Sequence, residues 1–282
     1  MNQQQQEQLE LQRETWNQYS GGWEKWDKLL MTLMRPVSDR FIEILQLKGN
    51  EHILDVASGT GEPGLTLSTL LPEGRVTGSD LSENMVKIAN EHAMQRGITN
   101  YQSQVCDASN MPFENNYFDH IICRFGAMFF PDIKDSLKEM TRVLKPGGRL
   151  TITVWAAPEL NPFLTLLAMT VVEKLKLPKP PSDAPGVFRY AQPGLTNELI
   201  INAGLDNVIE SNIQGEAIFD STMQYWKVFS EVAGPIVQVL NSAPQEVVED
   251  VKETVLSKAE NFIRDGKMCV NWEAIITTGI KK

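Results

Sequence analysis

The chain has 282 residues, 42% of them hydrophobic and 22% charged, an ordinary soluble composition with length for one large domain or one domain with a sizeable insertion. A formal net charge of −10 disfavours a phosphate backbone or an anionic membrane as a partner. Cys106, Cys123 and Cys269 lack C-x-x-C spacing, so neither a disulfide framework nor a zinc cluster is suggested, and no apolar stretch has the length of a membrane span. The expectation is a cytoplasmic protein without metal, nucleic-acid or membrane partner.

The glutamine-rich start, Gln3 to Gln6, has neither the basic nor the apolar region of a signal peptide and reads as a polar helix start. Trp16, Tyr19, Trp23 and Trp26 then recur at spacings of three and four, a helical stripe that Gly21-Gly22 is expected to interrupt. From about residue 50 to 155, short β-rich runs alternate with amphipathic helical runs, the pattern of a parallel sheet with crossover helices. Ile53 to Ala57 predicts a first strand, and a glycine loop leads to a helix over Pro63 to Leu71. Arg75 to Asp80 predicts a second strand, followed by a helix that Ser82 caps, that carries Met85, Ile88, Ala89 and His92 at helical spacing, and that Gly97 ends. Three further strands are predicted over Tyr101 to Asp107, Phe118 to Phe125 and Arg149 to Trp155. A helix over Ile133 to Leu144 stops at Lys145-Pro146-Gly147-Gly148.

Beyond Trp155 the regularity loosens. A helix over about Phe163 to Leu175 and a proline-rich run over Pro178 to Gly186 read as an insertion or lid. Thr196 to Ala203 predicts a sheet-covering helix, Asn207 to Gln214 a strand and Met268 to Lys281 a final strand. Two helical stretches, about Ser221 to Leu240 and Gln245 to Ile263, lie between those strands.

The strongest chemical signal is Ile53 to Gly64, an apolar strand ending in Asp55 and turning through Gly59, Gly61 and Gly64, which match G-x-G-x-x-G. Alone, such glycines serve a nucleoside, a pyrophosphate or merely a tight corner. Asp80 closes strand two about twenty residues on, where a carboxylate can accept the ribose hydroxyls of a bound nucleoside. Asp107, at the end of strand three and followed by Ala108, is placed to accept an adenine amine, a role that a dinucleotide fold does not require. Ligands of open α/β sheets bind outside the carboxyl ends of the strands, where Asp55, Asp80 and Asp107 are all predicted.

On these residues the chain resembles the class I S-adenosylmethionine (SAM)-dependent methyltransferases over roughly residues 37 to 155, and less closely onward. Leu54 to Gly61 looks like that family's first motif. Met111 to Asp119 and Arg142 to Gly148 are similar to the small-molecule branch that includes quinone-biosynthesis and natural-product methyltransferases. The resemblance implies a Rossmann-like, doubly wound α/β fold with a mostly parallel seven-stranded sheet whose last strand is antiparallel, plus helical lid insertions. It implies SAM as cofactor, with Asp55, Ala57, Gly59, Thr60 and Gly61 at the methionine part, Asp80 at the ribose, Leu81 and Met85 against the nucleoside, and Asp107 and Ala108 at the adenine. Arg124 and Phe125 to Phe129 leave strand four beside the donor, so Arg124 is added to the cofactor set, and Phe125, Met128 and Phe129 to an acceptor pocket.

Residues 1–36 are expected to form lid helices carrying Trp16, Tyr19 and Trp23, with Tyr19 a hydrogen-bond donor or base. The methyltransferase domain would span residues 37–282, with insertions at about 158–192 and 220–266. The acceptor would be a small hydrophobic or aromatic molecule methylated on oxygen or carbon. The family usually has glycine at Ala57 and often cysteine at Ser58, so the loop path is open there. His52, His92 and His120 read as structural. An NAD-dependent oxidoreductase would leave Asp107 without a role, and a SAM-binding regulator without turnover would need the same residues.

Overall fold

The computed structural model of the protein describes residues 3–178 and 184–282; the remainder of the proline-rich run expected over Pro178 to Gly186, residues 179–183, lies outside them. The strands are β1 (His52–Val56), β2 (Arg75–Asp80), β3 (Tyr101–Val105), β4 (Phe118–Arg124), β5 (Leu144–Trp155), β6 (Leu205–Phe219), β7 (Ile263–Arg264) and β8 (Lys267–Lys281). They form one sheet in the order β3-β2-β1-β4-β5-β8-β6, with β7 hairpinned onto β8. The pairs from β3 to β5 are parallel, and β8 runs antiparallel to both neighbours. The expected seven strands are all present with the last one antiparallel, and the two-residue β7 adds an eighth. β1 is buried along its whole length, which is why Ile53, Leu54 and Val56 do not alternate with exposed residues.

The helices are α1 (Gln3–Leu33), α2 (Arg35–Leu45), α3 (Gly64–Ser68), α4 (Glu83–Gln95), α5 (Ile133–Val143), α6 (Pro162–Leu175), α7 (Leu195–Asn202), α8 (Thr222–Val232), α9 (Gly234–Ser242) and α10 (Gln245–Ala259). Local chemistry sets several ends. Ser82 caps α4 by accepting the Met85 amide at 3.1 Å, Asp132 caps α5 through the Asp135 amide at 3.0 Å, and Gly97 follows α4 at φ +66°.

Four expectations are corrected. Gly21-Gly22 does not interrupt the aromatic stripe: α1 runs through it for 31 residues. A glycine costs a helix about 1 kcal/mol, and the packing of the aromatic face overrides that. At Gly22 the absent side chain has a use, since a Cβ there would collide with the Glu231 carbonyl of α8. The single helix expected over Ser221 to Leu240 is instead two, parted at Ala233, because Pro235 has no N–H to donate and opens a new helix. β6 reaches to Phe219, well beyond Gln214, pairing with β8 throughout, and β5 begins at Leu144 rather than Arg149.

Candidate functional site

The order of strands reverses between β1 and its neighbours β2 and β4, and the crevice at their carboxyl ends is where such sheets hold ligands. The glycine loop lies there. Gly59 and Gly61 take φ +52° and +109°, conformations that side chains disfavour. A Cβ on Gly59 would meet nothing within 4 Å, so the loop leaves open space on that side.

Ala57 also takes a left-handed φ of +56°, which accounts for the glycine usual at this position in the resembling family. Its methyl fits because Gly126 faces it: a Cβ on Gly126 would collide with that of Ala57 and approach Cys123 Sγ to 3.0 Å. The loop therefore keeps its path around Ala57.

The structure brings together at this rim the residues predicted to hold a cofactor. Asp55 is 1% exposed; its Oδ2 accepts the Gly64 amide at 3.1 Å, while its Oδ1 has no partner. Burial pushes this carboxyl up to about 7, against the pull of the Arg124 guanidinium and the Gly64 amide. Asp80 accepts the Gly59 amide at 2.9 Å with one oxygen and the Ser82 amide at 2.9 Å with the other, and burial raises it as well. Those amides fix the carboxylate at the end of β2 and tie it to the glycine loop. Asp107 closes a tight turn by accepting the Ser109 amide at 2.8 Å. Leu81, Asp107 and Ala108 are half-buried, and Met85 is buried.

Asp55 stands opposite Ile122 and Arg124 opposite Thr153, so alternation places Asp55, Arg124, Thr153 and Trp155 on one face of the sheet. From there Arg124 donates to the Glu62 carbonyl at 2.7 Å, to Met31 Sδ at 2.9 Å and to Ser38 Oγ at 3.1 Å, joining β4 to the loop, α1 and α2. Phe125, at φ +60°, turns its ring back onto Trp155, stacked at 3.9 Å between centroids. Trp155 in turn meets Phe163 and Trp272 edge-on. Met128 is buried, and Phe129 meets Trp16 of α1 at 5.2 Å.

Trp16, Tyr19 and Trp23 lie on α1, whose length crosses this rim. Trp23 donates to the Val232 carbonyl at 3.2 Å and packs near Trp16. Tyr19 is 7% exposed, its hydroxyl has no partner, and burial raises its pKa above the ordinary phenol value. Sequence reasoning missed Asp27, which accepts the Thr60 hydroxyl at 2.6 Å, and Asn17, which accepts the Ser82 hydroxyl at 2.7 Å. It also missed Trp155 and Trp272. The signal for Asp27 was an acid within the apolar face of a helix, a position that demands a partner.

The three histidines have structural neighbours. His52 lies beside Thr77, Tyr117 and Phe118, His92 Nδ1 meets the Thr60 carbonyl at 2.9 Å, and His120 Nδ1 accepts the Arg149 amide at 3.3 Å. Two cavities lie elsewhere: one of about 380 Å³ at the amino ends of β1, β2 and β4, and one of about 230 Å³ between α2 and the β5-β8-β6 face. Neither is lined by the glycine loop, which α1 covers. No helix among the described residues is long and apolar enough to cross a membrane.

A glycine loop and acids at the carboxyl rim of a 3-2-1-4-5 sheet with an antiparallel strand inserted define the class I SAM-dependent methyltransferase fold, and residues 53–148 match the methyltransferase domain family. Over those residues the chain is similar to that family. Among curated proteins it is similar to the demethylmenaquinone methyltransferase of Staphylococcus carnosus, 38% identical over 125 residues, 44% of this chain and 51% of that protein. The chain thus spans about half the length of the curated relatives it matches. Among solved structures, the YcgJ protein of Bacillus subtilis superposes with a TM-score of 0.57 at 21% identity, covering 87% of this chain and 97% of that one. Haemonchus contortus phosphoethanolamine N-methyltransferase 2, solved with phosphomonomethylethanolamine and S-adenosylhomocysteine, gives a TM-score of 0.53 at 19% identity, covering 87% and 52%.

Proposed function

We propose that the chain transfers the methyl group of SAM to an oxygen or carbon of a small hydrophobic or aromatic acceptor. The observation that carries this reading is that Asp55 and Asp80 both accept amides of the glycine loop, with Asp107 just past the next strand end, in a segment that matches the methyltransferase domain family. The residues present fit the cofactor: the open side of Gly59 leaves room for a nucleoside, and the unpartnered Asp55 Oδ1 suits a cationic amino-acid group. Leaving that oxygen unsatisfied costs on the order of 1–3 kcal/mol, which a ligand would recover.

SAM supplies a methyl already activated on a sulfonium, so the protein's work is alignment and exclusion of water. Asp80 would hold the ribose, with Gly59 and Ser82 keeping its carboxylate oriented. Asp107 and Ala108 would face the adenine, and Leu81 and Met85 would pack against it. Arg124, expected in the cofactor set, would serve the cofactor by holding the loop against β4 through the Glu62 carbonyl.

Phe125, Met128, Phe129, Trp16 and Trp23 would wall the acceptor. Their aromatic surface suits a planar apolar compound, as does the demethylmenaquinone named for the Staphylococcus carnosus relative. Tyr19, raised by burial, stays protonated near neutral pH and would serve as a hydrogen-bond donor to the acceptor rather than as a base. Residues 1–36 would act as lid helices on a domain of residues 37–282, with helical insertions at about 158–192 and 220–266.

The test is calorimetric titration with SAM and with NADH, followed by transfer of labelled methyl to a panel of phenols and reduced quinones. Micromolar SAM binding and label in a hydrophobic product are expected. Binding of NADH with none of SAM would overturn the reading.

A further inference from the structure

Asp27 sits on the apolar stripe of α1 among Tyr19, Trp23, Leu30 and Leu33, and is itself buried. A buried carboxylate persists only where partners compensate its lost hydration. Its partners are both tied to the glycine loop. Thr60 Oγ1 donates to it at 2.6 Å, and Arg96 Nη2 stands 3.8 Å away while also pairing with Glu62. Thr60 and Glu62 flank Gly61, so this one acid meets the loop directly at Thr60 and, through Arg96, is linked to its other side at Glu62.

A second tie lies ten residues earlier on the same helix, about 15 Å along its axis. Asn17 Oδ1 accepts the Ser82 hydroxyl at 2.7 Å and the Asn84 amide at 3.2 Å, and Asn84 Nδ2 donates to the Asn17 carbonyl at 3.0 Å. Ser82 is the residue whose amide holds Asp80. The helix therefore reaches from the glycine loop to the end of β2. It also carries Trp16 against Phe129, and the unpartnered Tyr19 hydroxyl. Because one continuous helix bears both sets of contacts, the acceptor wall is in place only when the rim contacts are made.

We propose that Asp27 is a positioning residue that latches α1 onto the glycine loop, so that cofactor enters and leaves only with α1 lifted and the acceptor wall is assembled after the cofactor is seated. The latch is polar, so opening it returns hydrogen-bonding groups to water at modest cost and allows it to cycle. This inference rests on the SAM-binding reading above, and its test separates the two.

The test compares Asp27→Ala, Asp27→Asn and Thr60→Val with wild type. Stopped-flow fluorescence of the α1 tryptophans reads the dissociation of S-adenosylhomocysteine, and hydrogen exchange reads α1 without ligand. Loss of one charge-assisted bond corresponds to roughly a tenfold faster dissociation for Asp27→Ala. Asp27→Asn keeps a group that accepts from Thr60 and should show a smaller rise. Asp27→Ala combined with Thr60→Val should be no faster than Asp27→Ala alone, which already removes the Thr60 contact together with that to Arg96.

Exchange should quicken along α1 while β1, β4 and β5 stay protected. Additive effects, or dissociation and α1 exchange at wild-type rates in Asp27→Ala, would overturn the latch. If Asp27→Ala loosens the whole sheet, Asp27→Asn, which preserves shape, decides the matter by the same two readouts. A wild type that binds no S-adenosyl ligand sinks the SAM-binding reading, and with it the ordered cycle. Faster α1 exchange in Asp27→Ala alone would then still show the contact.

Discussion

The pairing of Ala57 with Gly126 allows a sharp prediction about the loop. Gly126 has no need of glycine for its own backbone, since its φ is −89°, yet an added Cβ would strike the Ala57 methyl and press on Cys123 Sγ at 3.0 Å. Gly126→Ala should therefore destabilise the protein by about 1–3 kcal/mol, the usual cost of overpacking a close-packed site. Ala57→Gly acts in the opposite sense. It relieves a left-handed alanine, worth about 1–2 kcal/mol, and gives back about 0.5–1 kcal/mol as entropy of the unfolded chain. A net gain of about 0.5–1 kcal/mol is expected.

The double variant should recover most of the stability lost by Gly126→Ala, because the clash requires both methyl groups. Urea unfolding followed by circular dichroism reads each midpoint, and in a chain of this size about 1 kcal/mol corresponds to a shift of about 2 °C in Tm. If Ala57→Gly fails to rescue Gly126→Ala, or if Gly126→Ala is silent, then the fit between the two positions is not what admits alanine at residue 57.

Three further outcomes follow from the acids of the rim. Asp80→Ala should raise the Kd for SAM at least tenfold with the far-ultraviolet spectrum unchanged, since it removes the ribose partner and frees the Gly59 and Ser82 amides; unchanged calorimetric binding would refute the role. Asp55, pushed up to about 7, is expected to be protonated in the free protein below that pH and ionised beside a cation. SAM affinity should then climb as pH rises through about 7 and level off above it, with Asp55→Asn abolishing the slope. The same group acts oppositely on the ligand-free fold. With its folded pKa raised, its contribution to stability is complete below the ordinary carboxylate value and is lost as pH rises through about 7, so urea midpoints against pH should show Asp55→Asn removing that decline.

Strand and helix order through Trp155 could be read from sequence because each element announces itself locally: β2 by a short run that holds Val76 and Thr77 and closes on Asp80, α4 by Ser82 and Gly97, and the rim by acids at the ends of strand runs. What could not be read depends on partners distant in the chain. The continuity of α1 through Gly21-Gly22 rests on packing against α8, more than 200 residues away, where Gly22 meets Glu231. The length of β6 is set by its pairing with β8 rather than by its own alternation, which fades after Gln214. Asp27 and Asn17 escaped notice because a helix register shows which residues are inward without showing what they meet. Ala57 is the opposite case: its departure from the family pattern was visible, and only the facing Gly126 shows how it is accommodated.

The long pairing of β6 with β8 carries the chain outward past the parallel strands, and α8, α9 and α10 all hang between the far ends of those two strands. Those helices, with α1 leaning on α8 and α6 against α10, form a canopy, while the proposed nucleoside seat is contained in residues 53–108. Such a division implies that the canopy can be lengthened, shortened or exchanged between related chains to change which compound is accepted, without disturbing the source of the methyl group.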